Sequence, residues 1–213
     1  MRLYFVRHGQ TDYNLKNAYY GFADVGLNAA GKLQAQRLAK FFDGLCFDEI
    51  WCSDLRRVKE TIDIIMKHET DASSGIIRSF FELREMNFGK WEGLSFKEVS
   101  AAYPKDYELW SKDWKGAAPT GGECFKDFYD RVKHCFEQLI KSAEEKNQGN
   151  ILVAAHNGTL RILFALMLGL SMDGTWHFNF EQDAYSVVDY EYNNFTVRKI
   201  NSREKVIPAS GRF

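Results

Sequence analysis

The sequence has no surplus of charge, no apolar run of membrane-spanning length and no paired-cysteine motif, and each absence removes a class of function. Its 28 basic residues stand against 29 acidic ones, a formal net charge of −1. No global positive field therefore draws it to nucleic acid or to an anionic membrane surface, although a local basic cluster can still bind an anion. No stretch approaches the ~20 apolar residues of a membrane span, and the first strand lacks the order of charged region, long apolar stretch and small-residue cleavage site that marks a signal peptide. The expectation is a cytoplasmic protein without a membrane partner. Cys46, Cys52, Cys124 and Cys135 include no C-x-x-C pair and sit in apolar or helical contexts, which points to buried thiols rather than disulfides or zinc ligands. Missing too are the G-x-x-x-x-G-K-[ST] loop of nucleotide hydrolysis, the G-x-G-x-x-G of dinucleotide binding, any histidine-carboxylate spacing for a metal, and any repeat or low-complexity tract.

What is present is apolar material for one substantial core: 45% of the 213 residues are hydrophobic and 15% aromatic. That suits a single domain over residues 1–213. Strand-like runs at residues 3–6 (LYFV), 48–52 (DEIWC), 76–79 (IIRS) and 150–155 (NILVAA) are separated by helical patterns from Ala30 to about Phe42, Leu55 to about Lys67, Glu123 to about Lys146 and Gly158 to about Leu168. This alternation predicts an α/β fold, a three-layer α/β/α sandwich with a mostly parallel central sheet. Residues 185–192 and 195–200, joined by Asn193-Asn194, read as an antiparallel hairpin at a sheet edge. Residues 88–122 hold Trp91, Trp110 and Trp114 and are too aromatic for a linker, so they are expected to form a small helical cap inserted over the sheet. The tail from Asn201 carries no pattern.

In parallel α/β sheets ligands gather at the carboxyl ends of the strands, and the polar residues of this chain fall there. One strand ends in Arg7-His8-Gly9, another in Cys52-Ser53 followed by Arg56-Arg57, a third leads to Glu82 and Glu85, and a fourth ends in His156-Asn157-Gly158. A single histidine after a strand is most often structural. Two histidines, arginines and a carboxylate converging on four strand ends describe an anion site with an acid beside it. Arginine forks match phosphate geometry, so Arg7 and Arg57 can hold a phosphoryl group. A neutral imidazole can attack phosphorus if its other ring nitrogen is fixed as a donor, and the other histidine, protonated next to the phosphate, would add a donor to the transition state.

R-H-G-Q-T at residues 7–11 resembles the signature of the histidine phosphatase superfamily, the phosphoglycerate mutase-like family. The likeness continues through Asn14, G-x-x-D at 21–24, L-N-A-A-G-K-L-Q-A at 27–35, S-D-L-R-R-V-K-E-T at 53–61, L-R-E-M-N-F-G-K-W-E-G at 83–93, P-T-G-G-E at 119–123 and A-H-N-G-T-L-R at 155–161. The resemblance implies that His8 is the nucleophile, that Arg7, Arg57 and His156 complete the phosphate pocket, and that Glu85 is the proton donor. Asn14 would donate a further hydrogen bond to the phosphoryl group, and Gly21, Asn157 and Gly158, which lie in matched motifs, are expected among the substrate-binding residues. Glu82 is read as a structural or rim carboxylate and Arg56 as a surface residue. Two positions depart from the family's pattern: Asn157 where glycine usually follows the second histidine, tolerable because Asn accepts left-handed backbone angles, and Asp54 where proline is common. No metal or organic cofactor is implied.

The same phosphohistidine can deliver its phosphoryl group to water or to a sugar acid. Cofactor-dependent phosphoglycerate mutases of the family carry a longer insertion with paired arginines that grip a carboxylate, whereas residues 88–122 contain five lysines and no arginine. The segment looks more like the short phosphatase branch, which includes α-ribazole phosphatases and broad-specificity phosphatases. The expectation is a phosphomonoester hydrolase acting on a small phosphorylated metabolite, with α-ribazole 5′-phosphate as the leading individual candidate. The alternatives are a mutase and a non-catalytic binding member, the latter disfavoured because every core position is intact. Oligomeric state stays open between monomer and homodimer.

Overall fold

A computed structural model describes residues 1–67 and 75–207. In chain order its elements are β1 (Arg2–Arg7), α1 (Asp12–Leu15), α2 (Ala29–Phe42), β2 (Glu49–Ser53), α3 (Arg56–Met66), β3 (Ile76–Phe80), α4 (Phe96–Ala102), α5 (Pro104–Lys112), α6 (Phe125–Glu145), β4 (Asn150–Ala155), α7 (Asn157–Met167), β5 (Tyr185–Glu191) and β6 (Asn194–Ser202). The six strands form one sheet in the order β3-β2-β4-β1-β5-β6. The pairs β2·β3, β2·β4 and β1·β4 are parallel, whereas β1·β5 and β5·β6 are antiparallel. The sheet is thus mixed but mostly parallel.

The inner strands β1, β2 and β4 are buried along nearly their whole length because both sheet faces are covered there. Leu3 and Phe5 of β1, with Trp51, Ile151 and Val153, pack under α6 and α7. The alternate residues Tyr4 and Val6, with Ile50, Cys52 and Leu152, pack against Leu38 and Phe42 of α2 and Val58, Ile62 and Ile65 of α3. The period of two in a strand sends successive side chains to opposite faces, and helices on both faces make the three layers. The apolar stripe of α6 runs from Phe125 through Phe128, Val132, Phe136 and Leu139, as its three- and four-residue spacing predicts. Residues 88–122 fold as a short 3-10 turn followed by α4 and α5. Ser95 and Glu98 form a reciprocal capping box at the start of α4, and Pro104 opens α5 where its missing N–H is harmless.

Three expectations need adjusting. The hairpin turn is Tyr192-Asn193, one residue earlier than expected: both have positive φ, 53° and 57°, and Glu191 pairs with Asn194 across the turn. A two-residue loop of this kind needs left-handed backbone at both positions to match the strand twist, and an exposed Tyr accepts it here. The hairpin's inner strand, β5, lies inside the sheet, and only β6 is at the edge. Of the cysteines, Cys52 and Cys135 are buried, but Cys124 is half-buried at the start of α6 and Cys46 is exposed. Residues 201–202 of the tail extend β6, and the tail beyond residue 207 lies outside the described residues. Among the described residues, no helix is long and apolar enough to cross a membrane.

The chain leaves β1 through α2 toward β2, and leaves β4 through α7 toward β5 on the opposite side of the sheet. Adjacent β1 and β4 therefore flank a switch point, where diverging connections open a crevice beyond the strand ends.

Candidate active site

Arg7 and Ala155 are paired at the ends of β1 and β4, so the next residues, His8 and His156, emerge side by side. Their ring centroids are 5.1 Å apart, and both are almost wholly buried, 3% and 1% exposed. His8 Nδ1 lies 2.8 Å from the Gly9 carbonyl oxygen. A carbonyl only accepts, so Nδ1 carries the hydrogen and the Nε2 lone pair is free. Burial, reinforced by Arg57 and Arg7, holds the His8 imidazole well below the ordinary histidine range, and the ring is neutral.

His156 is held by side chains. Its Nδ1 accepts from Arg57 Nε at 3.3 Å, which leaves Nε2 to donate to Ser53 Oγ at 2.9 Å. Burial, then Arg57, His8 and Arg7, push this ring well below its usual range too. In this neutral form His156 fixes the Arg57 fork. A phosphate dianion beside it would supply the opposite charge that favours protonation.

Arg57, fully buried at the start of α3, also donates to the carbonyls of Ala23 and Gly21, each at 2.8 Å, and its guanidinium lies 4.7 Å from the centroid of the Tyr20 ring. Gly21 thus stands behind the arginine, not in the cavity. A Cβ there would lie 1.5 Å from the Met86 carbonyl oxygen, so the contact between these loops requires glycine. The Gly21–Ala23 loop is in turn gripped by Glu92, whose carboxylate accepts the N–H groups of Gly21, Phe22, Ala23 and Phe88. Arg7 donates to the Phe180 carbonyl at 3.0 Å, and its Nε is buried with no protein partner. Burial draws both guanidinium groups down from their ordinary range.

Glu85 reaches the same crevice from the loop after β3. Its carboxylate accepts from Gly158 N–H at 2.8 Å, in the first turn of α7, and from Met86 N–H at 3.0 Å. A Cβ on Gly158 would lie 2.3 Å from Glu85 Oε1, so glycine is what admits the carboxylate to the helix end. The loop carrying Glu85 is pinned by Arg131, which donates to the carbonyls of Glu82, Arg84 and Glu85 and pairs with Glu123. Glu82 contributes its backbone here, in keeping with a structural reading.

Asn14 Oδ1 is occupied by the Thr11 N–H and by Gln182 Nε2, which orients the amide. Asn157 is the first residue of α7, with no positive φ, so its tolerance of left-handed angles is not what suits it to the position. Its side chain instead accepts from Phe180 N–H and donates to Asn179 Oδ1, tying down the loop that holds Arg7. Asp54 forms a two-pronged ion pair with Arg84, at 2.6 and 2.7 Å, which holds its carboxyl below the usual range. Arg56 is exposed and pairs with Glu60.

Beside the histidines lies a cavity of about 480 Å³, lined by Arg7, Asn14, Glu85, Asn157 and Gly158, with aromatic walls that include Tyr19, Phe88, Trp110 and Trp176. Of the three tryptophans singled out in residues 88–122, only Trp110 lines it. Trp91 is fully buried, and Trp114 packs on Phe125 and Trp176. Arg161 and Trp176 also line the cavity and were not expected there. Arg161 closes the A-H-N-G-T-L-R motif, one helical turn after Asn157, a spacing that could have signalled a shared face. Glu92 and Arg131, by contrast, act through loop carbonyls and amides and leave no periodic trace.

The profile of the histidine phosphatase superfamily (branch 1) matches residues 3–203. An adenosylcobalamin/α-ribazole phosphatase of Escherichia coli is 34% identical, over 95% of this chain and 97% of its own length. A crystal structure of the α-ribazole phosphatase from Shigella flexneri superimposes with a TM-score of 0.89 at 34% identity, covering 97% and 99% of the two chains. A 2,3-bisphosphoglycerate-dependent phosphoglycerate mutase of Afipia carboxidovorans is 31% identical, but over only 79% of this chain and 82% of its own. With its sheet order, its paired strand-end histidines and this full-length likeness, the chain belongs to the histidine phosphatase superfamily, branch 1.

Proposed function

We propose that the protein hydrolyses a small phosphomonoester through a phosphohistidine at His8, and that α-ribazole 5′-phosphate is its substrate. The observation that carries the reaction is the fixed tautomer of His8: Nδ1–H bonded to the Gly9 carbonyl, the ring held neutral, and the Nε2 lone pair beside two arginines that lack carboxylate partners among the described residues. Arg7 and Arg57 hold the phosphoryl oxygens and stabilise the charge that builds on them. As the Nε2–P bond forms and the P–O ester bond breaks, Glu85 gives a proton to the leaving alcohol oxygen. The Gly9 carbonyl then faces the Nδ1–H of a cationic phosphoimidazole. Glu85, now a carboxylate, takes a proton from water as its oxygen attacks phosphorus, and inorganic phosphate and free His8 result. Asn14, beside the same cavity, would donate its amide hydrogens to the phosphoryl group.

Hydrolysis is favoured over mutase transfer by the absence of arginine in residues 88–122 and by the fuller coverage of the phosphatase relatives. The aromatic wall suits a flat apolar leaving group. The test is phosphate release from α-ribazole 5′-phosphate, 3-phosphoglycerate and sugar phosphates, beside a coupled mutase assay with 2,3-bisphosphoglycerate. Phosphate release highest on α-ribazole 5′-phosphate is expected. Fast 2-phosphoglycerate formation would overturn the assignment.

A further inference from the structure

Every arginine of the described residues is in an ion pair with a carboxylate, except Arg7, Arg57 and Arg161. The first two flank His8 and are accounted for by a phosphoryl group. Arg161 is not. It projects from α7 into the 480 Å³ cavity, with its guanidinium 5.3 Å from the centroid of the Trp176 ring. Its single protein hydrogen bond is a long one, Nη2 to Asn179 Oδ1 at 3.3 Å, and its Nε is buried without a partner. A half-buried cation with most of its donors unused gives up hydration that the protein does not replace. Stacking on an indole fixes the plane of the fork but consumes none of its N–H groups.

The neighbours define what such a fork would read. Trp110, which lines the same cavity, also carries an indole N–H without a partner. The buried polar groups without partners among the residues lining this cavity, on Arg7, Trp110 and Arg161, are all donors, and Trp110 and Arg161 stand among aromatic rings, so a complementary ligand presents acceptor atoms on an otherwise apolar body. Asn179 Oδ1, which takes the Arg161 hydrogen bond, also takes one from Asn157, whose own oxygen holds the Phe180 N–H next to the carbonyl that fixes Arg7. The 179–180 loop thus joins Arg161 to the phosphate-holding arginine and sets one against the other.

Resting on the phosphatase reading above, we infer that Arg161, braced on Trp176 and Asn179, is a specificity-determining residue. It grips the leaving alcohol and selects phosphomonoesters whose alcohol carries acceptor oxygens beyond the ester oxygen, as a sugar does. The experiment compares the wild type with Arg161→Ala, Arg161→Gln and Arg161→Lys on ribose 5-phosphate and on phenyl phosphate, whose alcohol has no further oxygen, with inhibition by inorganic phosphate measured alongside. Arg161→Gln and Arg161→Lys keep much of the stem that packs on Trp176 and guard against misfolding of the alanine variant. The ratio of kcat/KM for ribose 5-phosphate over phenyl phosphate should fall about tenfold or more in the alanine and glutamine variants, mainly through KM. Lysine should restore only part of it, and the Ki of phosphate should move less than about threefold. Equal losses on both esters with a matching rise in the phosphate Ki would make Arg161 a phosphate ligand and overturn the inference, as would an unmoved ratio in every variant. A wild type that hydrolyses neither ester would overturn the phosphatase reading itself.

Discussion

The two ends of the crevice are built differently. At the proposed phosphate end, polar side chains are fixed largely by backbone: Gly9 orients His8, Gly21 and Ala23 hold Arg57, Phe180 holds Arg7, and Gly158 with Met86 receives Glu85. At the leaving-group end the contacts are side chain on side chain, aromatic rings with Arg161 set among them, and donors there lack protein partners. A phosphoryl group has one shape in every ester, so rigid carbonyls and strand ends suffice to frame it. The alcohol varies, and the surface that meets it consists of side chains on helices, which can change without disturbing the sheet. Damage at the first end should therefore fall on all substrates alike, and damage at the second should depend on the alcohol.

The largest expected effect is at the phosphate end. His8→Ala removes the proposed nucleophile and should lower kcat/KM at least ~10⁴-fold for every phosphomonoester, with an unchanged circular dichroism spectrum. A folded variant retaining more than about a hundredth of the wild-type rate would take His8 out of the mechanism. Glu85→Gln sits at the join and should show both behaviours. It should slow alkyl phosphates by ~10²- to 10⁴-fold and p-nitrophenyl phosphate much less, because an acidic phenol leaves without help. Equal slowing of the two would deny Glu85 the role of proton donor.

Gly158→Ala is a smaller perturbation at the same join. The added methyl would lie 2.3 Å from Glu85 Oε1, so the carboxylate must move from the α7 end while His8 keeps its own bonds. A loss of roughly 10- to 100-fold is expected, from misplacement rather than removal of the acid. It should follow the leaving group as the Glu85→Gln loss does. A loss independent of the alcohol would mean that the phosphate end had shifted instead.

The same contrast governs what the sequence could disclose. The six strands and the helices α2, α3, α6 and α7 were legible to within one or two residues, chiefly because buried faces write a period into the chain, as in the alternation of Leu3 and Phe5 with Tyr4 and Val6, whereas α1, α4 and α5 were not placed. The residues the structure brings together at the strand ends, His8, Arg57, Glu85 and His156, were legible because chemistry-bearing side chains stood where parallel strands stop. Residues acting on or through main-chain atoms were not. Glu92 gathers amides at 21–23 and 88, Arg131 gathers carbonyls at 82–85, and Gly21 backs Arg57 with its own carbonyl. Backbone atoms are the same at every residue, so no pattern of residue types reports these contacts. Arg161 left a partial trace: its four-residue spacing from Asn157 puts both on one face of α7, but its place in the cavity also depends on where α7 points relative to Trp176, a tertiary angle that spacing does not encode.

The least conspicuous consequence of the contrast is in stability rather than rate. His8 and His156 both sit well below the ordinary histidine range in the folded protein, chiefly through burial. In the unfolded chain they titrate near ~6.5. As pH falls below that value the unfolded chain takes up protons that the folded site refuses, so stability falls with pH, by up to ~1.4 kcal/mol per pH unit for each histidine. Asp54, Asp183 and Asp189, held low by arginine partners, stabilise the fold above the ordinary carboxylate range and lose that contribution only at more acidic pH. Glu49 and Glu60 are held low as well, so it is the window from about pH 6.5 to about pH 5.5 that isolates the two histidines. Urea unfolding across it should show a declining wild-type stability and a shallower decline in His8→Asn, which has no proton to gain at that position. Inorganic phosphate should flatten the wild-type slope by placing negative charge against both rings. Parallel declines in wild type and variant would mean that His8 is not held neutral by its surroundings, and the free lone pair on which the phosphohistidine depends would lose its physical basis.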